Sequence, residues 1–222
     1  MTTIRNIIFD FDGTLVDTAP LIVATIQATI AELGLEARTD AECRATIGLR
    51  LEDVPSVLWP ANEVAARDFA GTYRRIFDEL KRPLGVTCFP RVIETLDTLH
   101  HDGYRMAIAS SRSHKSLDEY VKQFGIEDYF DMLIGGDDVE HGKPSAEPVV
   151  KILQACGWSA NETLTVGDAA VDIMMGHAAG TATCAVTYGN GQRAELTSAA
   201  PTLMIDTFDS LTNALLKKDN VR

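Results

Sequence analysis

Four aspartates, a serine and a lysine pose the chemical question in this 222-residue chain. Asp10 and Asp12 stand two apart in "DFDGT", and Asp168 and Asp172 four apart in "VGDAAVD". Carboxylates this close repel one another unless a cation neutralises them or one holds a proton. A set of hard oxygen donors with no His or Cys among them suits Mg²⁺ rather than zinc. A Mg²⁺ site in an acidic protein implies a ligand that bears phosphate. Ser110 in "IASS" and Lys143 in "GKP" would meet such a ligand, one with a hydroxyl and one with a point charge. An aspartate can also attack phosphorus, and a second carboxylate nearby can carry the proton for the leaving alkoxide and then take one from water.

These residues need a scaffold that brings them together, and the chain supplies a pattern for one. "IRNIIF" reads as a short buried strand ending at Asp10. From Thr18 to Leu80 the pattern is helical, with "APLIVATIQATIAELG" closed by Gly34, then "TDAECRATIG" with a Thr or Asp cap, then "NEVAARDFAGTYRRIFDELK". After "RPLGV" strands and helices alternate to the end. The strands read "YRMAIAS", "FDMLIGG", "TLTVG", "TATCAVTY" and "PTLMI". Apolar strands with little alternation, separated by helices, predict a doubly wound, Rossmann-like α/β core with a parallel sheet covered on both faces. The predicted core spans 1–16 and 84–222, and an all-α insertion spans 17–83. Ligands in such folds sit beyond the carboxyl ends of the strands. The polar residues at those ends are Asp10 and Asp12, Ser110 and Ser111, Asp137 and Asp138, and Asp168, with Lys143 in the loop after the third strand end.

Taken singly, each motif has an ordinary reading. D-x-D-G-T is turn chemistry after a strand, G-K-P a solvated loop, and G-D-x-x-x-D a turn followed by a helix cap. Their joint occurrence, in order and each just after a predicted strand, favours a site.

Bulk composition sets the outer limits. Apolar residues make up 45% and charged residues 23%, as in ordinary globular proteins. A net charge of −12 argues against nucleic acid or an anionic membrane as a partner. Cys43, Cys88, Cys156 and Cys184 are scattered without metal-ligand spacing and read as small buried residues in a reducing compartment. No apolar run approaches the roughly 20 residues that span a bilayer. A cytoplasmic protein is expected, as a monomer or homodimer.

On "DFDGT" (10–14), "IASS" (108–111), "GKP" (142–144) and "VGDAAVD" (166–172) the chain resembles the haloacid dehalogenase superfamily, in its phosphoglycolate phosphatase-like branch with a helical cap. The resemblance covers essentially the whole chain. It implies a Mg²⁺-dependent phosphatase of a small phosphorylated metabolite, acting through an aspartyl-phosphate. Asp10 would be nucleophile and metal ligand. Asp12 would be general acid/base, with its backbone carbonyl on the metal, and Thr14 would position it. Ser110 would bind the transferring phosphoryl group, Lys143 would balance charge, and Asp168 and Asp172 would complete the metal site. Gly13, Ser111, Arg112 and the cap's Arg50, in "TIGLRLEDV", would face the substrate. Two departures stand out: Ser110-Ser111-Arg112 where phosphoglycolate phosphatases often carry T-N-K, and Arg91 where many relatives have glycine.

A sugar phosphomutase, a pyrophosphatase or a nucleotidase of the same fold remains open. A phospho-acceptor signalling domain is disfavoured by the helical insertion. Asp17, at the expected hinge, is assigned to folding or closure rather than chemistry. His100, His101, His114, His141 and His177 read as surface or helix-end residues, and Trp59 and Trp158 as packing.

Overall fold

In the computed structural model, which describes residues 3–60 and 63–219, the chain begins with a four-residue strand, β1 (Asn6–Phe9), buried along its whole length. Four more elements of the main sheet arrive only after residue 104: β4 (Arg105–Ala109), β5 (Met132–Ile134), β6 (Thr163–Gly167) and β7 (Ala182–Val186), with β8 (Leu203–Ile205) at the far edge. All pair in parallel, in the order β5-β4-β1-β6-β7-β8. Strand order therefore reverses between β1 and β6, and the crevice at that reversal is where a doubly wound sheet accepts ligands.

Side chains alternate across β1, as the pleat requires. Ile7 and Phe9 join one apolar core with residues of α5 (Val92–His101), α6 (His114–Gln123) and α10 (Ser210–Asp219). Ile8 joins a second core, on the opposite face, with residues of α7 (Glu147–Cys156) and α8 (Ala170–Ala178). α9 (Arg193–Ser198) covers the edge through Leu196. The expected parallel α/β fold is the observed one.

Between β1 and β4 the chain builds the helices α1 (Ala19–Leu33), α2 (Asp40–Arg44), α3 (Val54–Leu58) and α4 (Glu63–Leu84). Gly34 ends α1 in the left-handed conformation at φ 61°. Thr39 caps α2, with Glu42 completing a reciprocal capping box. Asn62, the expected start of the last helix, lies outside the described residues. These helices have their own apolar core, which includes Val23, Ile26, Cys43, Val54, Trp59 and Phe69. The sequence reading has no strand beside them. The structure adds a two-residue antiparallel pair, β2 (Val16–Asp17) with β3 (Thr87–Cys88), where the chain leaves and re-enters the sheet layer. Two residues are too few to show periodicity. Arg91 holds φ 67°, a left-handed geometry that ordinarily favours glycine.

Gly176 lies on α8 against β6 and β7. A Cβ there would stand 2.6 Å from Thr183 Cγ2 and 2.9 Å from Thr165 Cβ. Gly176→Ala would gain about 1 kcal/mol of helix propensity. Overpacking of about 1–3 kcal/mol in a dense interface exceeds it. The variant is expected to unfold at lower urea than the parent with an unchanged m-value, and a higher midpoint would show that the helix can slide outward at no cost.

Candidate active site

Register decides which side chains meet. Phe9 pairs with Val166, so Asp10 and Asp168 leave neighbouring strands one and two residues beyond the same rung. The Asp10 backbone N–H donates to the Val166 carbonyl at 2.8 Å, extending the ladder by one residue beyond β1. Gly167 ends β6, and a Cβ there would lie 2.3 Å from the Asp172 Cβ. That close approach lets Asp172, in the first turn of α8, fold back toward Asp10.

Asp10, Asp168 and Asp172 are buried, and each offers a carboxylate oxygen within 4.8 Å of the others. Lys143 Nζ donates to Asp10 Oδ1, and to Asp172 Oδ1 at 2.7 Å, with all three side chains 4% exposed or less. The Asp172 Oδ2 accepts from the Ala169 backbone N–H at 3.0 Å. Burial first, then the Asp172 charge, pushes the Asp168 carboxyl up to about 7, against hydrogen bonds from the Asn190 backbone and Thr14. Burial likewise raises Asp10 well above the carboxylate range; Lys143 opposes this and the neighbouring aspartates add to it. Lys143 is itself held above the ordinary lysine range: burial works against its charge, and the two carboxylates outweigh it. One buried cation among this many carboxylates leaves an excess of negative charge. An all-oxygen, buried donor set with that deficit fits a hard divalent cation.

Asp12 is placed differently from its partner. Its carboxylate is outside the three-aspartate cluster and faces a cavity of about 410 Å³ that it lines with Asp10. Arg112 grips both oxygens, with Nε to Oδ2 at 3.2 Å and Nη2 to Oδ1 at 2.5 Å. Thr18 Oγ1 donates to Oδ1 at 2.6 Å. The Arg112 guanidinium is itself packed among the rings of Phe11, Phe77 and Tyr120, 4.8–5.8 Å from their centroids. Its charge is favoured by Asp12 against the penalty of burial.

Several expected contacts take another form. Thr14 Oγ1 donates to Asp168 Oδ1 at 3.2 Å rather than to Asp12, whose hydroxyl partner is Thr18. Ser110 is buried at the end of β4, and its Oγ accepts from the Arg112 backbone N–H at 3.1 Å. Ser111 lines the cavity but donates to the Gly48 carbonyl at 2.6 Å. Arg50 also lines it, with Nη1 on the Glu140 carbonyl at 2.9 Å. Gly13, at φ 96°, presses on Asp168: a Cβ there would be 2.2 Å from Oδ2. Asp137 and Asp138 shape the loop after β5 by accepting from His114 N–H and Gly135 N–H. Asp17 sits in the β2–β3 pair.

Sequence reasoning missed the loop "GNG", 189–191. Asn190 N–H donates to Asp168 Oδ2 at 2.6 Å, and a Cβ at Gly189 or Gly191 would strike Asp168 at 2.3 or 2.1 Å. The Asn190 side chain accepts from Arg44 at 3.3 Å, while its buried Nδ2 has no partner among the described residues. A glycine pair after the fifth sheet strand was the available signal.

Comparison with known proteins fits this arrangement. The family model described as haloacid dehalogenase-like hydrolase matches residues 7–186. The chain belongs to the haloacid dehalogenase-like hydrolase family. It is 35% identical over 192 residues to the pyrophosphatase PpaX of Halalkalibacterium halodurans, covering 83% of this chain and 84% of that protein. It is 33% identical over 217 residues to the phosphoglycolate phosphatase of Yersinia pestis, covering 96% and 93%. A crystal structure of a predicted phosphoglycolate phosphatase from Haemophilus somnus superposes with a TM-score of 0.84 at 25% identity, covering 96% of this chain and 99% of that one. The chain is thus an enzyme of a hydrolase family, and none of its described helices is long and apolar enough to cross a membrane.

The charge deficit has a measurable sign. A carboxyl raised from 3.8 to about 7 on folding binds more protons in the folded state between those values. Its contribution to stability is therefore present at low pH and lost as pH rises through the window. In chelator, urea unfolding should show stability falling by on the order of 2 kcal/mol between pH 5 and pH 7. Saturating Mg²⁺ should stabilise more at pH 7 than at pH 5, where protons compete for the same oxygens. A slope of opposite sign in chelator would show that Lys143 alone neutralises the cluster.

Proposed function

We propose that this enzyme is a Mg²⁺-dependent phosphatase that hydrolyses a small phosphorylated metabolite, a phosphomonoester, through an aspartyl-phosphate on Asp10. The observation that carries the reading is the pairing of two unlike aspartates at one strand end. Both line the cavity, but Asp10 is buried against Lys143 and two further carboxylates, whereas Asp12 stands outside that cluster, on Arg112 and Thr18.

Asp10, Asp168 and Asp172, with the Asp12 backbone carbonyl, would hold the metal. When bound, Mg²⁺ supplies charge neutralisation at the phosphoryl oxygens and the carboxylates. The remaining work falls to the chain. The Asp10 carboxylate attacks phosphorus, and the bond from phosphorus to the ester oxygen breaks. The departing alkoxide takes a proton from Asp12. Both Asp12 oxygens accept from Arg112, so the proton-bearing form must release one of those bonds. In the second half, Asp12 takes a proton from water as its oxygen attacks phosphorus. Inorganic phosphate leaves and the Asp10 carboxylate is restored. Lys143 steadies Asp10 throughout, and the Ser110 hydroxyl and the backbone N–H groups beside it are the donors for the phosphoryl group. The helices of 17–83 act as a cap over the reaction; Ser111 and Arg50 join it to the core through the Gly48 and Glu140 carbonyls.

The reading is tested with p-nitrophenyl phosphate and an alkyl phosphate in the presence of Mg²⁺. Asp10→Asn is expected to stop sustained phosphate release from both. Asp12→Asn should lower kcat by about 10²–10⁴ on the alkyl ester and by less on p-nitrophenyl phosphate, whose leaving group needs little help from an acid. A single stoichiometric phosphorylation without turnover, or turnover that survives Asp10→Asn, would sink the phosphatase reading.

A further inference from the structure

We infer that the alcohol released here carries an apolar body of several carbons, a ring or a branched chain. The inference rests on the phosphatase reading and concerns the apolar part of the same cavity's wall. That part is made by Ile22 of α1, by Leu49 and Leu51 of the loop between α2 and α3, and by Tyr73 and Phe77 of α4. Tyr73 and Phe77 stack at 5.8 Å and 24°, and Tyr73 stacks in turn on Phe69 at 6.2 Å and 25°. A flat or branched hydrocarbon would extend this apolar face.

Leu49 sharpens the point. It is half-buried and lines the cavity, yet it belongs to none of the apolar cores of the described residues. A leucine that lines the cavity outside every apolar core is placed to meet a ligand.

A cavity of about 410 Å³ is also in the range that encloses ligands well beyond a two-carbon acid.

The test compares propyl phosphate, 3-phenylpropyl phosphate and phosphoglycolate with Mg²⁺, in the parent, in Leu49→Ser and in Asp10→Asn. The two alkyl alcohols have similar acidity, so their kcat/KM ratio reports contact with the alcohol rather than chemistry. The parent should favour phenylpropyl over propyl phosphate by about tenfold or more. Leu49→Ser should reduce that ratio several-fold. A parent ratio near one, a preference for phosphoglycolate, or a ratio that Leu49→Ser leaves unchanged overturns the inference while hydrolysis stays dependent on Asp10. If Leu49→Ser does not fold, the parent ratio alone decides. Failure to hydrolyse any of the three esters in an Asp10-dependent way removes the phosphatase reading itself.

Discussion

One lysine ammonium, shared between Asp10 and Asp172 in a site closed to solvent, is the interaction around which this molecule is arranged. Isolated buried charges are expensive, and carboxylates gathered at one point repel as well. Lys143 offsets part of that cost and cannot offset all of it, as the raised Asp10 and Asp168 show. The rest of the neighbourhood works on the remainder. Asp168 receives the Asn190 N–H and the Thr14 hydroxyl, Asp172 the Ala169 N–H, and Asp12 a guanidinium held among three rings. What is left over is an excess of negative charge of the kind a hard divalent cation would offset.

That requirement reaches into the backbone. A carboxylate can be brought within hydrogen-bond range of several loops at once only if those loops carry no side chain at the point of contact. Gly13, Gly167, Gly189 and Gly191 all stand where a Cβ would overlap Asp168 or Asp172. Gly167 closes β6, and the others lie in the loops that follow β1 and β7, next to the reversal of the sheet between β1 and β6. The parallel order thus does more than gather the aspartates. It delivers the glycines that let them be crowded.

The sheet and the strand-end aspartates were legible because they depend on local pattern: short apolar runs, helix stops and a polar residue just past each strand. Asp10, Lys143 and Asp168 meet, and Ser110 ends the neighbouring strand, because register and strand order carry them to one edge, and both follow from alternating β and α. The partners of Asp12 were not legible in this way. Thr18 and Arg112 are separated by 94 positions, and their meeting depends on how the helical segment leaves β2 and how Arg112 folds into an aromatic cage. The family resemblance assigned Thr14 to Asp12, whereas the turn at Gly13 points its hydroxyl to Asp168. Arg50 and Ser111 could be placed at the cavity from their loops. That each would spend a donor on a carbonyl across the seam depends on the fit of two layers, which no single segment encodes.

The seam between those layers bears on how the enzyme could work. Its hydrogen bonds include Ser111 to Gly48, Arg50 to Glu140 and Arg44 to Asn190, and two of the three end on backbone carbonyls. Bonds of this kind contribute about 0.5–1.5 kcal/mol each, because water replaces them when the layers part. Together they amount to a few kcal/mol, the scale at which two conformations of one protein exchange and a ligand can shift the balance. By contrast the Lys143 cluster lies wholly within the α/β layer and is untouched by such a movement. In the proposed reaction the helices can therefore separate to admit an ester and close again over it, while the charges that bind metal and attack phosphorus stay fixed. Asp12 is the exception, since it grows from the sheet yet takes its hydroxyl contact from Thr18 at the start of the helical segment. The residue that must move a proton is the one whose surroundings change when the layers move.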